Sequence, residues 1–188
     1  MAKLLGISGS LRKQSFNTAL LNAAKTLAPE GVELEIATLH GIPLYDGDLE
    51  GRSGTPEAVT ALKQKIIASD GVIIATPEYN GSIPGVLKNA VDWLSRPPAD
   101  IPKVFQGRAF AVVGATPSGF GTMLAQNAWL TVLRQLGVQH WNGRKLLLSR
   151  AHEAFDDQGS LTDQRHKDEL GKFLQGFAQF AARAKSSS

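Results

Sequence analysis

The chain has 188 residues, 43% of them hydrophobic and 20% charged, with a formal net charge of +3 at pH 7. That length gives one domain, 1–188, able to bury most of its apolar surface, and no apolar run approaches the roughly 20 residues that a membrane-spanning helix needs. With no cysteine there are no disulfides, thiolate nucleophiles or cysteine-ligated metals, which fits a reducing, cytoplasmic setting, and the scattered Lys and Arg residues argue against nucleic-acid binding.

In chain order, Lys3-Leu4-Leu5-Gly6-Ile7 reads as a short buried strand. It feeds the stretch Gly6 to Asn17, G-I-S-G-S-L-R-K-Q-S-F-N, a strand-to-helix turn crowded with anion-binding groups. Ser8, Ser10 and Ser15 bring hydroxyls. Arg12 brings a planar cation that can fork onto two oxygens. Asn17 brings an amide where the next helix begins. Helix N-termini favour anions through free N–H groups and the helix dipole, so the turn suits a phosphate cradle. Neither G-x-G-x-x-G nor G-x-x-x-x-G-K-[ST] is present. The grip would come from hydroxyls, backbone N–H groups and one Arg, which suits a terminal phosphate monoester better than a bridging pyrophosphate. A solvated serine-rich loop would have the same composition.

Asn17 to Ala28 carries Leu20, Leu21, Ala24 and Leu27 at helical spacing, and Pro29-Glu30-Gly31 stops it. Val32 to Ile36 alternates, as an edge strand does. A long loop, Leu39 to Gly54, follows, with Asp46, Asp48 and Glu50 read as an acidic loop in preference to a cation site. Thr55 as cap, Pro56 in the first turn and Glu57 open a helix that runs to about Ser69. Gly71 to Thr76 is a continuous apolar run, a strand covered on both faces. Pro77 to Ile83 is a loop, and Pro84 starts a helix with Val86, Leu87, Ala90, Val91 and Leu94. Pro97, Pro98 and Pro102 forbid helix in the linker that follows.

Arg108 to Ala115 is another apolar strand, Thr116 to Gly121 another small-residue loop, and Thr122 to Leu136 another helix. Val138 to Leu148 holds the fifth strand, interrupted near Asn142-Gly143. Asp156 to Gly159 reads as a turn. Thr162-Asp163 caps a last amphipathic helix ending near Ala184, with a disordered tail over 185–188.

The β-α alternation argues for a three-layer α/β/α architecture: a five-stranded parallel sheet of order 2-1-3-4-5 with helices on both faces. Ligands then lie beyond the carboxyl ends of the strands, at the switch between strands one and three. The three polar, glycine-bearing loops follow strands one, three and four, whose ends neighbour one another in that order. One loop offers phosphate donors. The other two offer small residues and backbone groups suited to lining a flat ring. Trp93, Trp129 and Trp141 read as core or subunit contacts. His40, His140, His152 and His166 lack metal-ligand spacing, so no metal site is expected.

The segments Gly9-Ser10-Leu11-Arg12-Lys13-x-Ser15-Phe16-Asn17 and Pro77-Glu78-Tyr79-Asn80-x-Ser82-Ile83-Pro84-Gly85-x-Leu87-Lys88-Asn89-Ala90 resemble motifs of the NAD(P)H-dependent FMN reductase family, which contains bacterial quinone and chromate reductases. Ile42 to Asp46 and Ala151 to Asp156 extend the resemblance over nearly the whole chain. It implies a flavodoxin-like fold, noncovalent FMN, NADPH or NADH as electron donor, and quinones or similar acceptors, chromate among them. It also implies ping-pong hydride transfer at flavin N5 without a catalytic side chain, and a homodimer or homotetramer.

Carried onto this chain, the resemblance places the ribityl phosphate on Ser10, Arg12, Ser15, Phe16 and Asn17. Pro77, Glu78, Tyr79 and Asn80 border the isoalloxazine, with Glu78 contributing its backbone rather than its carboxylate. Thr116, Ser118 and Gly119 close the other side. Two positions depart from the family: Thr116-Pro117-Ser118-Gly119 replaces a Ser-Pro-Gly-like start, and Gly81 stands where some quinone and chromate reductases have an aromatic residue. A flavin reductase, an azoreductase or a flavodoxin-type electron carrier are the alternatives. Such carriers tend to be strongly acidic, which a pI of about 9.3 opposes. Lys13, Arg52 and Arg96 are candidate partners for a 2′-phosphate.

Overall fold

Strand β1 (Ala2–Ser8) is buried from Leu4 to Ser8, as a strand covered on both faces must be. In the computed structural model, which describes residues 1–186, it pairs in parallel with β2 (Val32–Ala37) on one side and β3 (Gly71–Ala75) on the other. β3 pairs with β4 (Ala109–Ala115), giving the order β2-β1-β3-β4-β5. The expected fifth position is shared by two short strands. β5 (Gln139–His140) pairs with the start of β4, and β6 (Leu147–Leu148) with its end. The stretch 141–146 between them is the interruption expected near Asn142-Gly143.

The two sheet faces make two cores. Leu4, Ile73, Ala111 and Val113 pack against α1 (Phe16–Thr26) and α8 (Gln164–Ser186), through Leu20, Leu21, Phe173 and Phe177. Leu5, Ile7, Val72, Ile74 and Val112 face α3 (Glu57–Ala68), α4 (Gly85–Leu94) and α6 (Met123–Gln135), through Val59, Ile66, Leu87, Trp93 and Trp129. Each such buried Val, Leu, Ile or Phe side chain contributes about 1.5–3 kcal/mol. β2 lies at the edge, with Leu34 buried and Glu33 and Glu35 exposed, as its alternation predicts. Trp141, half-buried, meets Phe173 edge-on at 4.9 Å between ring centroids.

Several local expectations are corrected. The loop 39–54 contains a helix, α2 (Gly47–Ser53), because the Asp46 carboxylate accepts Asp48 N at 2.8 Å and caps it. The proline-rich linker holds a 3-10 turn (Pro98–Asp100) and a short helix, α5 (Ile101–Val104). Pro98 and Pro102 stand in first turns, where a backbone N–H has no intrahelical partner to lose. Thr55 does not cap α3; Pro56 takes that position, with no side-chain cap bond. Ser15 is the cap of α1, one residue before Phe16. A one-turn helix, α7 (Ala151–Ala154), precedes the turn at 156–159. Of the expected disordered tail, Lys185 and Ser186 belong to α8, and Lys185 Nζ meets Asp70 at 2.7 Å; residues 187–188 lie outside the described residues.

Candidate functional site

β1, β3 and β4 end side by side: Ser8 is level with Ala75, and Ala75 with Val113. The three loops that follow therefore leave the sheet from adjacent points, and backbone bonds tie them together. Gly9 N donates to Ala75 O at 2.8 Å, and Thr76 N to Val113 O at 2.8 Å. A Cβ at position 9 would lie 2.7 Å from Leu87 Cδ2 and 2.9 Å from both Ala75 O and Pro77 Cδ. Only glycine lets the first loop lie this close to the second.

In the first loop, the buried Ser10 Oγ accepts Arg12 N at 3.2 Å and keeps its own O–H to donate. Ser15 Oγ accepts Thr18 N at 3.3 Å as the α1 cap. Asn17 is buried, and its amide pairs with both backbone polar atoms of Ala115. The Phe16 ring turns away onto Phe155, 5.9 Å between centroids, so its N–H is what it offers. The N–H groups of Phe16 and Asn17 have no acceptor among the described residues, as expected in a first helical turn. Arg12 is exposed and makes no ion pair among the described residues. Arg12 to Phe16 also line one wall of a cleft of about 570 Å3, whose other wall is Phe155 to Gly159.

The second loop is held by a reverse turn. Tyr79 N donates to Ser82 O at 3.1 Å and Ser82 N to Tyr79 O at 3.0 Å. Asn80 and Gly81 both have positive φ, 51° and 68°, the pattern of a type I′ turn. Pro77 is buried beneath it, while Tyr79 stands 48% exposed at the rim. Glu78 uses its carboxylate, contrary to expectation: Oε2 accepts Leu124 N at 2.8 Å and Ala125 N at 3.0 Å. It caps α6 from outside, where Thr122 makes no side-chain cap bond, and places negative charge at the helix N-terminus.

Beneath the second and third loops, Trp129 Nε1 donates to Thr76 Oγ1 at 3.0 Å, and Thr76 Oγ1 donates to Pro77 O at 2.8 Å. The third loop is fastened to the strap that follows β6. Thr116 N donates to Leu148 O, Arg150 N to Ser118 O and Ala151 N to Thr116 O, each at 3.0 Å. Thr116 is half-buried; Ser118 and Gly119 are exposed.

The segment after β2 completes the rim. His40 Nε2 lies 3.2 Å from Leu11 O. Tyr45 N donates to Asn89 Oδ1 at 2.8 Å, while Asn89 Nδ2 and Trp93 Nε1 both donate to Pro43 O. Glu50 accepts from Tyr45 Oη at 3.0 Å and from Arg96 Nε at 3.1 Å. Partial burial alone would raise its carboxyl pKa, but these bonds outweigh it and hold the pKa below the usual value. Arg96 is thus engaged with a carboxylate, whereas Lys13 and Arg52 are exposed.

The structure therefore gathers the twelve expected residues into three adjoining loops and the first turn of α1, which holds Phe16 and Asn17. One end has free N–H groups, a hydroxyl and an unpaired guanidinium, donors that fit a phosphate monoester. The other has the exposed Tyr79 and Asn80 above the buried Pro77. Sequence reasoning missed the Glu78 cap, the His40 and Asn89 ties and the fastening of the third loop to Arg150. The recurring segments 42–46 and 151–156 were the available signal for the last two. Among the described residues no group of three or more His, Cys, Asp or Glu could hold a metal ion, and no helix is long and apolar enough to cross a membrane.

Residues 2–153 match the family model described as NADPH-dependent FMN reductase. The chain is 42% identical to an NAD(P)H-dependent FMN reductase of Pseudomonas aeruginosa, over 96% of each chain. It is 35% identical to a 2-hydroxy-1,4-benzoquinone reductase of Burkholderia sp, over 94% of each. Among solved structures it is similar to FerB, a flavoenzyme NAD(P)H:(acceptor) oxidoreductase from Paracoccus denitrificans. The TM-score is 0.86 at 32% identity, covering 98% of this chain and 99% of that one.

Proposed function

This chain belongs to the NADPH-dependent FMN reductase family, and from that premise we propose that it is an FMN-dependent NAD(P)H oxidoreductase reducing quinones and similar small acceptors. The observation that carries the reading is the meeting of three loops at one end of the sheet, with phosphate-suited donors on the first and the Pro77 to Asn80 turn beside them on the second. Relatives named for FMN reduction and for benzoquinone reduction support the same class.

Bound FMN would supply the redox chemistry, hydride uptake from a nicotinamide and two-electron reduction of the acceptor in a ping-pong cycle. This chain's residues bind and orient. Phe16 N–H, Asn17 N–H, the Ser10 hydroxyl and Arg12 hold the phosphate. Ser15 fixes the first turn that presents those N–H groups. Pro77, Tyr79 and Asn80 border the ring, and Thr116, Ser118 and Gly119 close its far edge. Glu78 acts through its cap on α6, keeping the second loop in place while its backbone faces the ring.

A homodimer or homotetramer belongs to the same proposal, supported by exposed apolar side chains around this end of the sheet, Leu44 at 81% and Phe120 at 77%. A cytoplasmic location and chromate as a further acceptor also belong to it. The deciding experiment is anaerobic titration of the purified protein, reconstituted with FMN, by NADPH and by NADH, followed by benzoquinone. Rapid bleaching of the flavin by nicotinamide alone, reversed by the quinone, supports the reading. Failure to bind FMN, or bleaching only with a separate reductase, overturns it.

A further inference from the structure

The third loop has a basic flank whose cations are not among the residues assigned to the flavin. Gly119 shares a cavity of about 330 Å3 with Arg150 and Arg165. An adjoining cavity of about 310 Å3 retains Arg165 and adds Lys145 and Arg144. Both include Ser149, Arg165 and His166, so four cations line one groove that opens from the loop. None of the four lies within salt-bridge distance of a carboxylate among the described residues.

Three carboxylates share the groove: Glu153, Asp163 and Glu169. Asp163 is engaged at the start of α8, where Oδ1 accepts His166 N at 2.8 Å. Glu153 lies 3.6 Å from His152 Nε2. Arg165 Nη2 lies 3.3 Å from His166 Nε2 and leaves the rest of its fork unused. Arg150 has φ 48° and ψ 47°, the left-handed region, costing about 1 kcal/mol for a residue with a Cβ. Its N–H bond to Ser118 O and the neighbouring Ala151–Thr116 bond hold it there, directly against the third loop. A strained arginine at the mouth of a groove with unpaired cations is a placement that packing alone does not require.

We infer that this groove receives the 2′-phosphate of NADPH, and that Arg150 and Arg165 make the enzyme prefer NADPH to NADH. The inference rests on the flavin reading: a nicotinamide stacked on a ring bordered by Gly119 would send its adenosine half along this flank. A phosphate monoester dianion matches two guanidinium forks. NADH presents a neutral hydroxyl at the same place and leaves the cations to water. Arg96, a candidate from the sequence, is paired with Glu50, and Arg12 belongs to the phosphate of the flavin.

The test has two arms. In the first, the protein is titrated calorimetrically with adenosine 2′,5′-bisphosphate and with adenosine 5′-monophosphate. The bisphosphate binds about tenfold or more tighter, on the scale of one charged hydrogen bond. That advantage falls below about threefold in Arg165→Gln and in Arg150→Asn, Asn being a residue that tolerates the left-handed region. In the second arm, the FMN-loaded variants show a KM for NADPH raised about tenfold and a KM for NADH changed less than about twofold. Equal affinity of the two adenosine probes for the unaltered protein overturns the inference, as does a parallel rise of both KM values. If the protein takes up no FMN, the functional reading fails by itself, and the adenosine titration still decides the groove. Arg165→Gln, on the exposed surface of α8, carries the test should Arg150→Asn fail to fold.

Discussion

The side-chain amide of Asn17 pairs with both polar atoms of Ala115. Its Nδ2 donates to the Ala115 carbonyl, and the Ala115 N–H donates to its Oδ1, each at 3.0 Å and buried. The amide thereby continues the sheet's hydrogen bonding at the end of β4 and locks the first turn of α1 to the start of the third loop. Asn17→Leu leaves a buried donor and a buried acceptor unpaired, at about 1–3 kcal/mol each. Asn17→Asp keeps the acceptor for Ala115 N but sets an oxygen against Ala115 O. Thermal unfolding should rank the native chain above Asn17→Asp and Asn17→Leu, and both variants should bind FMN more weakly.

Arg12, in the first loop, makes no ion pair among the described residues. Arg12→Ala should weaken FMN binding by about 1.5–3 kcal/mol, the scale of a charged hydrogen bond, with little effect on the melting temperature because the side chain is exposed. Quenching of flavin fluorescence measures the affinity. An unchanged value would remove Arg12 from the site.

Glu78 holds the N-terminus of α6 through two N–H groups. Glu78→Ala loses both bonds and the favourable charge, at about 0.5–2 kcal/mol; Glu78→Gln keeps an acceptor and should lose less. Because the cap sits on the loop that borders the ring, Glu78→Ala should also weaken FMN binding. Hydrogen exchange at Leu124 and Ala125 should quicken in Glu78→Ala. Unchanged exchange there would refute the cap.

Gly114 lies on β4 under the third loop. A Cβ there would overlap Thr122 Oγ1 and lie 2.5 Å from the Thr76 carbonyl oxygen. Gly114→Ala should destabilise the protein by about 1–3 kcal/mol or more, as overpacking does. Thr122→Ala in the same chain should restore only part of the loss, since the Thr76 carbonyl belongs to the backbone. Chemical denaturation of the single and double variants measures this. Full restoration would show that the backbone contact is without consequence.

His140 is half-buried on β5, and burial pushes its pKa below the ordinary 6.5. In the unfolded chain it binds its proton more readily. The folded state is therefore favoured by the neutral ring above the unfolded pKa, and that contribution is lost as pH falls below it. Melting temperatures should fall between about pH 7 and about pH 5, and the fall should be smaller in His140→Gln. An identical pH profile for the two proteins would contradict it.

The parallel order, the two-sided cores and the phosphate-suited first turn were all legible in the chain itself. They depend on local pattern: apolar runs such as Gly71 to Ala75, helical spacing such as Leu20, Leu21 and Ala24, and turn chemistry at Gly9 to Asn17. Pro77 to Ile83 was likewise legible as a loop, though its turn at Asn80-Gly81 was not read. Tertiary structure alone decided where the polar side chains end. The Glu78 carboxylate finds a helix 46 residues away, and the Asn17 amide a strand end 98 residues away. It also divided the fifth sheet position between two short strands and set Arg150 and Arg165 into one groove. A hydrogen-bond donor or a charge has no periodicity to betray its partner; only the folded chain brings the two within reach.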